Sequence, residues 1–154
     1  MAPAKAGMDE GNGHELQPGR RHIIERPRLT RLLDRATARI RMLVAPAGYG
    51  KTTLAQQWLR DKPHSWYRGS LASADVAALA IGLGEAASAV LPGACDRVRE
   101  RLRATNNPES EVNVLAELLA EDLAAWPEGT WLVFDDYHFA GESRAAEEFV
   151  DVLL

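Results

Sequence analysis

A chain of 154 residues suits one domain and can bury a real core, and its composition, 46% hydrophobic and 26% charged, is that of an ordinary soluble globular protein. A formal net charge of -4 argues against a nucleic-acid surface in this segment, because phosphate-backbone binding needs clustered excess Lys and Arg. No apolar run approaches the length that spans a bilayer, the N-terminus lacks the apolar core of a secretory signal, and the lone Cys95, unable to form an internal disulfide or a metal framework, fits a reducing, cytoplasmic setting.

Residues 1–21 are rich in Gly, Pro and charge and poor in large apolar side chains, so they read as a flexible leader, with a folded unit over 22–154. From Pro27 to Arg39, Leu29, Leu32, Leu33 and Ala36 recur at helical spacing among Arg and Asp, and Pro27 suits the first turn of that helix. Ile40 to Val44 is short and apolar and reads as a buried strand. A Gly-rich turn leads into a second helix, on which Leu54, Trp58 and Leu59 share a face. Ser65 to Leu71 reads as another strand, interrupted by Gly69. The Ala-rich stretch Ala74 to Leu91 is helical despite Gly82 and Gly84, each of which costs about 1 kcal/mol there, and Pro92-Gly93 ends it. Asp96 to Arg103 is a short charged helix, and Asn106-Asn107-Pro108 is a break. Glu111 to Trp126 is a helix with Val114, Leu115, Leu118, Leu119 and Leu123 on one side. Trp131 to Phe134 is a buried strand ending in Asp135-Asp136, and Ser143 caps a last helix that runs to Leu154. Strands alternating with helices imply an α/β fold with a parallel sheet and right-handed crossovers.

The chemistry concentrates in Ala45-Pro46-Ala47-Gly48-Tyr49-Gly50-Lys51-Thr52-Thr53. Apart from Ala45 in place of the first glycine, it matches the phosphate-binding loop G-x-x-x-x-G-K-S/T. Gly48 and Gly50 allow backbone angles closed to other residues, so successive N–H groups turn inward as an anion nest. The following helix adds unpaired N–H groups and the positive end of its dipole. Lys51 supplies a point charge for the β- and γ-phosphates, Thr52 a hydroxyl for Mg²⁺, and Thr53 reaches toward the α-phosphate. Such a string arises by chance in roughly one chain in a hundred of this length, so the strand before it and the helix after it carry much of the weight. Asp135 stands at the carboxyl end of a strand, where parallel α/β sheets bind ligands, and is placed to hold Mg²⁺ through water. Asp136 is placed to position or deprotonate an attacking water.

Other residues carry less. His138, close behind the acids, is a candidate γ-phosphate sensor, although a loop histidine is more often simply solvated. His22 and His64 lack metal-like spacing. The four tryptophans read as core or helix–sheet seams, and Cys95 as inert.

The string APAGYGKTTLAQQW, preceded by RPRLTRLLDRA and followed by LVFDDYH, closely resembles the MalT-like, LuxR-type large ATP-binding transcriptional regulators of bacteria, members of the STAND group of P-loop ATPases. The likeness covers most of Arg26 to Phe139, and alanine in place of the first loop glycine is normal in that family. The resemblance implies a P-loop NTPase three-layer sandwich, of which this chain supplies about three strands, with a further strand expected after Leu154. It implies a switch that assembles with ATP and resets on hydrolysis, with Ala45 to Thr53 as the phosphate loop, Asp135 linked to Mg²⁺ and Asp136 as the catalytic acid. Arg26 and Pro27 match the segment near the adenine. DNA would be reached only through a helix-turn-helix elsewhere, no membrane is involved, and self-association belongs to the ATP-bound parent. This segment alone would be a weak ATPase at most, read as an N-terminal fragment. One departure is Trp66-Tyr67-Arg68-Gly69-Ser70-Leu71, where the family has a W-L-S-L-D-type run. The competing readings are a small-molecule P-loop kinase, with Arg97, Arg99, Arg101 and Arg103 as a basic lid, and a non-hydrolysing remnant that acts by protein contacts.

Overall fold

The computed structural model describes residues 24–154, so the leader expected over 1–21 lies outside the described residues. Proline fixes φ and lacks an N–H, which costs nothing at a helix start, and helix α1 (Pro27–Arg35) begins on Pro27. It ends four residues earlier than the pattern to Arg39 suggests. Ala36 turns extended, and its carbonyl accepts from the Arg41 guanidinium at 2.5 Å instead of from a further turn. Little of the apolar stripe of α1 is covered: Leu29 and Leu32 are exposed and Leu33 is half-buried. The helix is held by polar ties instead. Asp34 accepts from Trp58 Nε1 at 2.8 Å and from Lys62 at 2.9 Å, and Glu25 pairs with Arg60 at 2.8 Å.

The strand expected over Ile40 to Val44 does not form. A strand exists as one half of a ladder, and among the described residues this segment makes no ladder hydrogen bond. It keeps the alternation of extended chain, with Arg41 and Leu43 half-buried while Met42 and Val44 stand 70% and 84% exposed. One anchor holds it: the Arg41 guanidinium lies 4.2 Å from the centre of the Trp131 ring and 4.8 Å from that of Trp58.

Among the described residues two strands pair, not about three. Strand β1 (His64–Arg68) runs parallel to β2 (Trp131–Asp135), with Tyr67 opposite Phe134 and Arg68 opposite Asp135. The β1 ladder stops at Arg68, short of Leu71, because the chain bends at Gly69 into a 3-10 turn over Leu71–Ala74. Helix α2 (Lys51–Leu59) comes before the sheet in sequence. Helices α3 (Val76–Ser88), α4 (Asp96–Ala104) and α5 (Val112–Leu123) connect its strands, and α6 (Arg144–Leu153) follows.

Side chains alternate across a strand, which sorts the sheet's two faces. Ser65, Tyr67 and Phe134 turn to one face. There Ser65 donates to the Ala86 carbonyl of α3, and the rings of Tyr67 and Phe134 meet edge-on at 5.0 Å. Beneath them lies the core: Val76, Leu79, Ala80 and Leu83 of α3, Val98 of α4, Leu115 and Leu119 of α5, and Phe149 and Val150 of α6. Val114, expected among these, is exposed, and Val112 and Ala116 are buried in its place. Trp131 and Asp135 turn to the opposite face, where Trp58 of α2 packs against Trp131 with ring centroids 4.6 Å apart. That face is only partly covered, so β2 is half-buried along its length and not buried as its apolar run suggests. Ser143 caps α6 as expected, accepting from the Ala146 amide.

The helix glycines have a packing reason. A methyl on Gly82 would lie 2.4 Å from the Tyr67 ring, and one on Gly84 2.8 Å from Cys95 Sγ. Burial pushes the Cys95 thiol above its usual range, since a thiolate there loses its hydration. Cys95 is therefore expected to resist iodoacetamide at mildly alkaline pH until denaturant unfolds the chain, a difference that mass spectrometry reads directly. Phe149 is the largest fully buried side chain among the described residues. Phe149→Ala should lower the unfolding free energy by about 3–5 kcal/mol in a urea titration.

Candidate functional site

The Gly-rich turn is built as its residues demand. Gly48 and Gly50 adopt φ of 80° and 77°, and the Tyr49 amide donates to the Pro46 carbonyl at 3.4 Å, closing a turn with Ala47 and Gly48 at its centre. Gly50 caps α2 with no side chain in the way, so the first amides of α2 have no side-chain cap. Lys51 opens the helix, and its ammonium donates to the Ala45 and Pro46 carbonyls at 2.7 and 3.2 Å. Thr53 is half-buried in the first turn, and Tyr49 is exposed.

Thr52 and Asp135, 83 residues apart in sequence, meet. The Thr52 hydroxyl stands 3.0 Å from both Asp135 carboxylate oxygens, and the Asp135 side chain is only 10% exposed. Asp136 follows with φ of 54°, a left-handed conformation that Asp tolerates better than most residues, and its amide donates to Asp135 Oδ1 at 3.0 Å. Its carboxylate lies in the more open position. Among the described residues no three His, Cys, Asp or Glu side chains gather to hold a metal. The donors at hand are oxygens, one hydroxyl and one or two carboxylates. That set suits a hard cation such as Mg²⁺, which keeps several waters and takes few protein ligands.

Arg26 is also brought to the loop. Its guanidinium donates to the Tyr49 carbonyl at 2.9 Å and lies against Gly50, where an added methyl would come within 3.2 Å of Nη2. Its amide donates to the side chain of Gln57 on α2. Pro27 is exposed and only starts α1. His138 is exposed, its ring tilted on Phe139 with centroids 4.2 Å apart, and among the described residues the acids form ion pairs with Arg68, not with His138. Three of the four arginines of α4 are tied down: Arg97 to Glu121 and Asp122, Arg99 to Glu85, Arg101 to Glu111, while Arg103 is exposed. That leaves little of a mobile kinase lid.

Sequence reasoning missed the role of Arg68-Gly69. Arg68 reaches Asp135 at 3.6 Å and Asp136 at 3.8 Å. Gly69 is buried, its amide donates to the Asp135 carbonyl at 2.9 Å, and an added methyl would stand 2.7 Å from the Asp136 carbonyl. The only signal was that these residues break the run expected there.

The described residues thus form an α/β protein in which a Gly-rich turn opens a helix against an acid-tipped parallel strand. Over this stretch the chain is MalT-like. It is 36% identical over 134 residues to the HTH-type transcriptional regulator MalT of Vibrio cholerae, covering 85% of this chain and 15% of that protein. Its identity to the regulators of the same name from Vibrio parahaemolyticus and Cronobacter sakazakii is 34% in each case, over 79% and 76% of this chain. The chain therefore spans only 13–15% of the length of these curated relatives. No family model matches the chain, and no solved structure matches it.

Two glycine substitutions separate conformational strain from close packing. Gly48→Ala meets no atom within 4 Å, so it should cost only the left-handed strain, about 1–2 kcal/mol. Gly69→Ala must push the Asp135–Asp136 turn aside, and should lower thermal stability and shift the amide NMR resonances of both acids, whereas Gly48→Ala leaves those in place.

Proposed function

We propose that this segment is the ATP- and Mg²⁺-binding part of a MalT-like bacterial transcriptional regulator, with a P-loop NTPase arrangement. The observation that carries the reading is the meeting of Thr52 and Asp135 beside a left-handed Gly48/Gly50 turn. A loop of this sequence, a helix with no side-chain cap and a lysine at its start are what polyphosphate binding requires. The likeness to transcriptional regulators supports the regulatory half of the reading.

In this reading the turn from Ala45 to Gly50 offers backbone amides to the phosphates. Lys51 exchanges its two carbonyl partners for β- and γ-phosphate oxygens. Thr52 and Asp135 hold the cation, whose chemistry is to neutralise charge on the phosphate oxygens. Asp136, in the more open position, orients water. Thr53 reaches the α-phosphate. Arg26 braces the loop through the Tyr49 carbonyl and, with Pro27, borders the base. Hydrolysis by this segment alone is weak at most. In the longer regulator, nucleotide binding would favour self-association, and DNA would be contacted by another segment.

The test is titration with a fluorescent ATP analogue in the presence of Mg²⁺. Saturable binding is expected for the native chain, weakened about tenfold to a hundredfold by Lys51→Ala, as for loss of a charge-assisted hydrogen bond. Absence of binding, or equal binding by Lys51→Ala, would overturn the reading.

A further inference from the structure

The register of the sheet places one more charged group at the acids. In a parallel pair, opposed residues share a face, so Arg68, opposite Asp135, emerges on the same side as Asp135 and Thr52. Gly69 draws the end of β1 onto the Asp135–Asp136 turn, because it carries no Cβ to meet the carbonyls there. The result is one guanidinium facing two carboxylates, Nη2 at 3.6 Å from Asp135 and Nε at 3.8 Å from Asp136.

Three properties of this contact matter together. The separations are those of ion pairs without a formed hydrogen bond, so the guanidinium balances charge without being locked. The Arg68 side chain is 62% exposed and can withdraw into water at small cost. The other cations at the loop are occupied, Lys51 by the Ala45 and Pro46 carbonyls and Arg26 by the Tyr49 carbonyl. Among the described residues, then, Arg68 is the cation paired with Asp135 and Asp136.

We propose that Arg68 is a built-in counter-ion of the Asp135–Asp136 pair that a divalent cation must displace, so that this side chain sets the concentration of Mg²⁺ at which the site loads. The inference rests on the metal-site reading above and concerns its regulation. Two positive charges competing for the same carboxylates are linked: whatever stabilises the guanidinium there weakens the metal by the same factor. The relation does not require nucleotide, so it is testable apart from nucleotide binding.

The experiment is a Mn²⁺ titration of the nucleotide-free chain followed by electron paramagnetic resonance, on the native protein and the variants R68Q, R68K and D135N, each checked by circular dichroism melting. R68Q should bind Mn²⁺ about threefold more tightly than the native chain, in keeping with an exposed ion pair. R68K should stay close to native, D135N should lose binding, and the gap between R68Q and native should narrow as salt is raised. Equal or weaker Mn²⁺ binding by R68Q, or no binding by any variant, would overturn the proposal. A parallel titration with the fluorescent ATP analogue, varying Mg²⁺, separates the two readings. If R68Q tightens Mn²⁺ binding but no variant binds nucleotide, the counter-ion stands and the nucleotide site falls. If nucleotide binds in a Lys51-dependent way with the same Mg²⁺ midpoint in R68Q and native chains, the counter-ion alone falls.

Discussion

The contact between the Thr52 hydroxyl and both oxygens of Asp135 orients everything around it. It joins the first turn of α2 to the carboxyl end of β2, while at the other end of the same helix Trp58 packs on Trp131 at the start of the strand. The helix is thereby laid antiparallel to β2 along one sheet face. The match is one of periods. Residues 131 and 135 share a face because strand side chains alternate, and the helix supplies partners from its first and last turns. A hydroxyl bound to a carboxylate in a largely buried setting contributes about 1.5–3 kcal/mol. With the hydroxyl gone, a carboxylate that is only 10% exposed would lose a partner at both oxygens. Structure and proposed chemistry thus draw on the same pair of oxygen donors.

Glycines make the second constraint, for two separate reasons. Gly48 and Gly50 are needed for backbone angle, since their φ values lie in the left-handed region. Gly69, Gly82 and Gly84 are needed for space, because a side chain on any of them would collide with the acid turn, the Tyr67 ring or Cys95. The first kind shapes the loop. The second brings α3 and the end of β1 close enough to seat the acids. Helix propensity alone counts Gly82 and Gly84 as liabilities of α3, yet the close approach of Tyr67 and Cys95 that they permit belongs to the core that holds the sheet.

Charge is distributed in keeping with this division. Arg97, Arg99 and Arg101 of α4 are spent on neighbouring acids of α3, α5 and the turn before it, which fasten the outer helices together. Those near the loop have more specific partners: Arg26 on a loop carbonyl, Arg41 between two tryptophan rings, Arg68 on the acid pair. Arg41 is the anchor of Ile40 to Val44, whose exposed Met42 and Val44 leave an apolar, extended segment leading into the loop. No other chain segment among the described residues pairs with it.

Much was legible in the sequence because it depends on neighbours in the chain. The loop from Ala45 to Thr53, the start of α1 at Pro27, the cap at Ser143 and the strand ending in Asp135-Asp136 follow from local chemistry: ring closure at proline, the missing glycine side chain, a hydroxyl beside free amides, a change of period. The likeness to MalT-type regulators was legible for the same reason, since it sits in short contiguous strings. Tertiary structure alone decided the rest. Whether Ile40 to Val44 is a strand depends on a partner in space, which an apolar run cannot specify. Val114 and Val112 both fit a helical stripe, and only the direction of the facing helices buried the second. Arg68 looked like a departure from a pattern until the parallel register set it opposite Asp135. Hydrogen-bond ladders, burial and ion pairs are properties of two segments at once, and one segment's sequence carries only half of each.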